Sequence, residues 1–304
     1  MKQTNISRLA RSYLTTSEPK SRFQARLGSW YRLWRRFKTS PTGILGLAFV
    51  VVLVLTALFA PLLPIADPLS QQLTDRLSPP SFEHPLGTDG LGRDVLARTI
   101  WGARPTLLII TMVLALTAPI GTLIGALAGL LGGLWDRILM RFCDAFMAFP
   151  RLVLALAIAA VLGANVATVV LAISITAWTP YARVARTEAA SIRNLDFLGA
   201  SRALGASNLR LLVHHVLPLC FPSMVVRLAL DAPGVILVVS GLGFLGLGLK
   251  PPTPEWGAIV ADGRSVILEA PWITTWPGLA ILLSGLAFNL FGDCLRDALD
   301  QGER

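Results

Sequence analysis

The sequence predicts an all-α integral membrane protein with six transmembrane helices and both termini on the cytoplasmic side. Three observations carry that expectation. Hydrophobic residues make up 54% of the 304 residues and charged residues only 15%, a balance too apolar for an ordinary soluble domain. The apolar residues gather in six runs, each near the roughly 20 residues a helix needs to cross the hydrocarbon core. The net charge of +9 is local: ten of the 27 Lys and Arg precede residue 42, against one acid, Glu18. A basic end before the first span places the N-terminus in the cytoplasm.

Residues 1–41 form the basic cytoplasmic segment. They hold no apolar core of the length a cleavable signal needs, so none is expected. Tyr31, Leu33, Trp34 and Phe37 interleave with Arg32, Arg35, Arg36 and Lys38. Such a stretch suits an interfacial helix, with rings at the acyl boundary and cations on anionic headgroups; the alternative is a solvated basic tail. Residues 42–104 hold the first span, Ile44 to about Leu63, ended by Pro61 and Pro64, and then an outer loop. Within that loop residues 84–95, HPLGTDGLGRDV, are rich in turn formers, with Thr88 or Asp89 available to cap the next helix.

Residues 105–295 contain the other five spans. The second runs from about Leu107 to Leu130 and breaks at Gly132 and Gly133. The third covers about Ile138 to Leu162, with Arg141 and Asp144 spaced to pair at i and i+3. The fourth covers Val166 to Ala182 and delivers Arg183 and Arg186 to the inside. The fifth, Leu219 to Leu247, ends in GLGFLGLGL, where Gly241, Gly243, Gly246 and Gly248 allow close packing on a neighbour. An outer loop beginning KPPTPEWG leads to Trp272 and Trp276, suited to an interface belt, and to the sixth span, Ile273 to Asn289 or beyond. Residues 296–304 are a cytoplasmic tail.

Between the fourth and fifth spans lies a short polar stretch, residues 194–218, NLDFLGASRALGASNLRLLVHHVLP. Its pattern predicts two short helices with a turn between them. Asn194 or Asp196 is placed to cap the first, Gly205 supplies the permissive backbone at its end, and Ser207 is placed to cap the second. Leu209, Leu212, Val213 and Val216 fall at i, i+3, i+4 and i+7 as one apolar stripe, and Pro218 stops the pattern.

No Gly-x-x-x-x-Gly-Lys-Ser/Thr occurs, and none of the four lysines follows a glycine, so the chain holds no phosphate-cradling loop and is not an ATPase. The three histidines, His84, His214 and His215, lie outside the spans, and His-Glu-x-x-His is absent, which argues against an intramembrane protease. Cys143, Cys220 and Cys294 have no metal or redox spacing and read as small core residues. The chain is expected to be non-catalytic, with no metal site and no cofactor.

The stretch from residue 194 resembles the cytoplasmic signature loop of ATP-binding-cassette importer permeases: Glu-Ala-Ala, three residues, Gly, nine residues, Ile-x-Leu-Pro. Ala200, Gly205, Leu217 and Pro218 match in register; Gly199 stands for the Glu, Ser201 for the second Ala and His215 for the Ile. An upstream Glu188-Ala189-Ala190 fits only in a register that puts Asn194 and Ser207 where Gly and Pro belong, so it is set aside. The HPLGTDGLGRDV segment, the ARTIWGARPTLLI that follows it and the GLGFLGLG to KPPTPEWG stretch resemble, in the same order, the dipeptide, oligopeptide and nickel importer permeases, of the C-type subunit.

The resemblance implies the type I importer permease fold with a cytoplasmic coupling helix, in a bacterial inner membrane. It implies a heterodimer with a second permease subunit, two cytoplasmic ATPase subunits and an extracytoplasmic solute-binding protein. The ATPases would close on ATP and move the docked helices, with Ala200, Leu204, Gly205, Leu209, Leu212, Leu217 and Pro218 forming the contact or its shape. The cargo it implies is a di- or oligopeptide first and nickel second, since no His, Cys or Met cluster lies along the spans.

Arg227 and Asp231 are four residues apart in the fifth span. Ionisable groups at that depth usually face a partner or a water-filled path. They either line a cavity that meets a peptide's charged ends or satisfy each other against another helix, and spacing leaves both open. A DNA-binding helix-turn-helix around Arg202 and Arg210 is disfavoured by the spans on either side, so no nucleic acid is expected. An ion-gradient carrier using Asp231 as a proton relay remains an alternative.

Overall fold

The computed structural model describes residues 37–300 together with Ser21, Gln24, Gly28, Tyr31, Trp34 and Arg35. Among the described residues the regular structure is all helical, with no β-strand, only an isolated bridge between Thr88 and Asp94. The helices are α1 (Pro41–Phe59), α2 (Val95–Leu131), α3 (Gly133–Met147), α4 (Arg151–Leu162), α5 (Val166–Ala177), α6 (Thr179–Ile192), α7 (Asp196–Ala203), α8 (Asn208–Leu211), α9 (Leu217–Phe244), α10 (Trp256–Gly263) and α11 (Trp272–Asp300). A π turn, Leu212–Val216, joins α8 to α9.

Among the described residues, four helical stretches are long and apolar enough to cross a membrane: Pro41–Leu62, Val95–Leu131, Asn208–Phe244 and Trp272–Leu299. The pair α3 and α4, bent by 79°, makes a fifth if it is one span. The expected fourth span, Val166 to Ala182, is divided at Trp178 into α5 and α6, of 12 and 14 residues. Pro180 has no amide to give to the Thr176 carbonyl, and the Thr179 hydroxyl donates to it instead, at 3.2 Å. A proline with its ladder partner lost breaks the helix there.

Side chains that a soluble protein would hide are open along these helices. Leu58 in α1 is 65% exposed and Leu282 in α11 is 62% exposed, which suits helices whose outer faces meet lipid. The largest core cluster joins Ile109, Ile110 and Val113 of α2, Ala155 and Ala159 of α4, Ile173 of α5 and Val235, Ile236 and Val239 of α9. Near the N-terminus, Tyr31, Trp34, Arg35 and Phe37 have helical backbone. Phe37 is buried against Phe291 of α11, with ring centroids 5.9 Å apart, so this ring packs on protein and not on the acyl boundary. Trp34 stays half exposed beside Lys38, whose ammonium lies 5.2 Å from its ring. Leu33, Arg32 and Arg36 of that reading, and residues 301–304 of the tail, lie outside the described residues. The expected tail boundary at residue 296 falls inside α11.

Helix α2 crosses α6 at close range. Gly121, Gly125 and Gly129, four residues apart, lie against the backbone of Trp178, Ala182 and Arg186. A methyl on any of the three would collide with a carbonyl oxygen of α6. Ala182, Ala185 and Ala189 are fully buried on the facing side. Small residues at this spacing let two helix backbones approach and interdigitate in a bilayer.

The loop before α2 differs from its sequence reading at the helix cap and at Trp272. Asp94, not Thr88 or Asp89, caps α2, accepting from the Ala97 amide at 2.7 Å. Thr88 and Asp89 hold the loop together: the Thr88 hydroxyl donates to the Asp75 carbonyl. Asp89 Oδ2 takes both Arg93 and Arg98 at 2.7 Å. These two arginines also reach Asp262, near the end of α10, at 3.4 and 3.3 Å. Trp272 donates its indole N–H to the Thr88 carbonyl at 3.1 Å, so it anchors the loop where a lipid belt was expected.

The fifth span also ends earlier than expected, at Phe244, because Gly246 (φ +78°) turns the chain. Within this glycine run Gly243 lies directly beneath Glu255 and the start of α10, while Gly241 faces Leu152 of α4. Glu255 caps α10 by accepting the Gly257 and Ala258 amides at 2.9 and 3.0 Å. Burial pushes its carboxyl up from 4.5 to about 7, although the two amides pull it down. A carboxyl raised in the folded state contributes stability that is full below its unfolded value and is lost as pH rises to the folded one. Amide exchange over residues 257–263, corrected for intrinsic rates, should therefore show protection falling from pH 4.5 to 7 and levelling above. In Glu255→Gln that slope should vanish.

Candidate functional site

Two places in the fold concentrate unusual chemistry, the elbow between α6 and α9 and a charge cluster within the bundle. The elbow is α7, its turn, α8 and the π turn. Helix α7 begins after Leu195, whose extended backbone leads in without a side-chain cap. Neither Asn194 nor Asp196 fills that role; Asp196 is the first helical residue, where its charge favours the positive helix end. Gly205 ends α7 at φ +86°, with its amide 2.9 Å from the Arg202 carbonyl and the Ala206 amide 3.0 Å from that of Ser201. A methyl at Gly205 would meet nothing within 4 Å, so the left-handed backbone and not space demands glycine. Ser207 caps α8 as expected, accepting from the Arg210 amide at 3.3 Å.

The stripe of Leu209, Leu212, Val213 and Val216 does not hold together. Leu212 and Val216 are buried, but Leu209 is 70% and Val213 46% exposed, and Leu211 goes inside in their place. The cause is the π turn, in which the Leu217 amide donates to Leu212, five residues back. A wider turn aligns i with i+4 and i+5, so Leu211 and Leu212 share a face with Val216. Pro218 does not stop the helix. It is the second residue of α9, and the π turn directly before it absorbs the amide it lacks.

The elbow thus has a fixed side and an open side. Leu198, Leu211, Leu212, Val216 and Cys220 are buried together with Ala126 and Leu130 of α2 and Ala189 and Ile192 of α6. Ala200, Leu204, Gly205, Leu209 and Pro218 are exposed, Leu217 is half-buried, and Leu204 reaches 89% exposure. Of the seven residues chosen from sequence, Leu212 alone is a buried support. Gly199 points into open space, so the glutamate of the family pattern would fit there without collision. The upstream Ala189 lies in α6 against α2 and away from the open side.

Near the elbow α3 is tied to α6 by ion pairs. Arg186 grips Asp136 with two hydrogen bonds, 3.0 and 2.6 Å. Asp144 pairs with Arg183 at 2.6 Å, not with Arg141 three residues away. The crossing of α3 and α6 brings an arginine from 39 residues on within reach, and its fork offers the better geometry.

The second place lies about 20 Å from either end of α9, at 1.5 Å per residue. Asp231 is 5% exposed, and its Oδ1 meets Arg227 at 3.4 Å. The same oxygen meets Arg151, the first residue of α4, at 3.3 Å. The pair read from the sequence is real, and a third member joins it. Arg151 was missed although it sits inside the expected third span. An arginine eleven residues from the end of an apolar run, directly after Pro150, was the available signal. The Tyr181 hydroxyl, fully buried, sits in the field of the same three charges without a hydrogen bond of acceptable geometry.

Residues 121–304 match the family described as binding-protein-dependent transport system inner membrane component. Residues 28–80 match the N-terminal TM domain of oligopeptide transport permease C. Similar proteins include the glutathione transport system permease protein GsiD of Escherichia coli O157:H7 and of Shigella sonnei (strain Ss046). Each is 40% identical over 272 residues, covering 89% of this chain and 90% of the relative.

Proposed function

This chain belongs to the family of binding-protein-dependent transport system inner membrane components and is a permease subunit of an ATP-binding-cassette importer; on that premise we propose that it forms half of a translocation path for small peptides. The other half is a second, homologous permease subunit. Two cytoplasmic ATPase subunits drive the pair, and an extracytoplasmic solute-binding protein delivers the cargo. The named relatives transport glutathione, a tripeptide, which supports a peptide cargo here.

In this reading α7, the Gly205 turn and α8 are the coupling element. The observation that carries it is the two-sided elbow: Leu204 and Leu209 open to a partner, Leu198, Leu211, Leu212 and Val216 locked to α2 and α6. An ATPase that grips the open side pushes on a unit that cannot move without the bundle. Nucleotide binding then selects one arrangement of the spans by its differential affinity, and the buried side transmits that bias as a rigid body. The helix pair α5 and α6 completes a sixth crossing, and both termini are cytoplasmic. The chain divides into a basic segment (1–41), a first span with its outer loop (42–104), a core of five spans (105–295) and a tail. Arg227 and Asp231 line the path between the two permease chains.

Reconstituting the chain with its partner permease, ATPases and binding protein in vesicles tests this. Uptake of labelled trialanine or glutathione should require ATP and the loaded binding protein and should persist when ion gradients are collapsed. Uptake that survives without ATP and stops with the proton gradient would make the chain a carrier. Uptake of nickel without peptide would move the cargo and leave the mechanism standing.

A further inference from the structure

Helices α3 and α4 meet at 79°, and residues 148–150 between them leave the regular helix. Irregular backbone at bilayer depth persists only where protein covers it or water reaches it. Arg151 opens α4 immediately after this break, and Pro150 offers no side chain to cap the helix. The first-turn amides of α4 add their positive potential at the same end as the Arg151 guanidinium.

Among the described residues, Arg151 and Arg227 share one anion. Both point to a single oxygen of Asp231, at 3.3 and 3.4 Å, and the cluster carries a surplus of one positive charge. Asp231 is buried, but Arg151 and Arg227 are 30% and 34% exposed at the side chain. Asp231 Oδ2, Arg227 Nε and the Tyr181 hydroxyl are buried without a well-formed hydrogen bond, and the hydroxyl lies beside the Asp231 carboxylate. An arginine at bilayer depth is costly unless an anion or water meets it. One carboxylate offsets one of the two, and the second guanidinium still calls for an anion.

We propose that Arg151 and Arg227, positioned by Asp231, form a subsite for the carboxylate of the solute in transit. The proposal rests on the peptide-path reading above and adds to it the third residue, the sign of the group recognised and the reason for the sign. A guanidinium presents its donors as a planar fork that matches a carboxylate. Asp231 holds both forks by one oxygen and leaves their outer edges free. Its negative charge also weakens the site, so an anion that enters can leave, as passage through a path requires.

Two measurements on the assembled transporter test this. In the first, uptake of trialanine is compared with that of trialanine amide, each at saturation of the binding protein. The wild type should favour the free carboxylate, and Arg151→Gln should raise the KM for trialanine about tenfold with little change in the amide. Arg151→Lys should recover part of the difference, and ATPase stimulation by loaded binding protein should stay within about twofold. If Arg151→Gln leaves both peptides unchanged, or lowers both together with the ATPase, the cluster is a structural tie and the subsite is lost.

The second measurement does not depend on the cargo, so it separates failure of the subsite from failure of the peptide reading. A Cβ at Gly234 would lie 3.7 Å from the Arg151 guanidinium, in ordinary contact. Gly234→Cys should react at least tenfold faster with an anionic than with a cationic methanethiosulfonate, and Arg151→Gln should flatten that ratio. The native Cys143, Cys220 and Cys294 are buried, and wild-type labelling supplies the background. Equal rates for the two reagents, or no labelling in any nucleotide state, would overturn the subsite even if peptides are carried.

Discussion

A chain carrying Leu204→Asp and Leu209→Asp together is expected to reach the membrane in normal amount and to lose ATP-driven uptake by roughly a hundredfold or more. Both side chains stand in the open, at 89% and 70% exposure, so neither change removes a contact within the fold. Their loss falls on whatever covers them in the assembly. An apolar anchor at the centre of an interface contributes about 2 kcal/mol or more, and a carboxylate left unpaired in its pocket costs several more. Uptake by reconstituted vesicles and co-purification of the ATPases are the measurements. Leu204→Met with Leu209→Met, which keeps apolar bulk, should retain both. Normal uptake by the aspartate pair would remove the elbow from the coupling mechanism.

Gly125→Leu should have the largest effect on folding. A side chain at that position would run into the backbone of Ala182, where α2 and α6 approach most closely. Overpacking a side chain against side chains costs about 1–3 kcal/mol; backbone cannot turn aside, so the helices must part and the cost is larger. The folded yield should fall severalfold and the thermal midpoint of the remainder by many degrees, read by fluorescence-detected gel filtration after heating. Gly278→Leu is the matched control. A Cβ at Gly278 meets nothing within 4 Å, and the yield should be unchanged.

These two variants also mark how far the residues could be read unaided. Leu204 and Leu209 were chosen from spacing and resemblance, and both are exposed on the elbow. Leu212, chosen by the same pattern, is inside, because periodicity assumes 3.6 residues per turn and the π turn before Pro218 does not. The glycine triplet at 121, 125 and 129 has a visible four-residue spacing, but which helix it meets is not encoded in that spacing. The denser glycine run ending the fifth span meets the start of the short helix α10 at Gly243 and α4 at Gly241. Trp272 matched an interface belt by residue type, yet its indole N–H has a nearer partner in the Thr88 carbonyl.

The sequence by itself determined the membrane class, the places of the apolar runs, the Gly205 turn with its Ser207 cap, and the likeness to importer permeases. Each of these depends on residues close together in the chain or on composition, and local backbone preferences and transfer to lipid act at that range. Only the tertiary structure decided which charges meet. Asp231 takes Arg151 from 80 residues away, Asp144 takes Arg183 from 39 away, and Arg93 and Arg98 reach Asp262 more than 160 residues on. Those meetings depend on where helices cross and bend, and the crossings are set by backbone approach at small residues. A guanidinium at the end of a long flexible stem pairs with whichever carboxylate the crossing brings near, and spacing along one helix does not encode that.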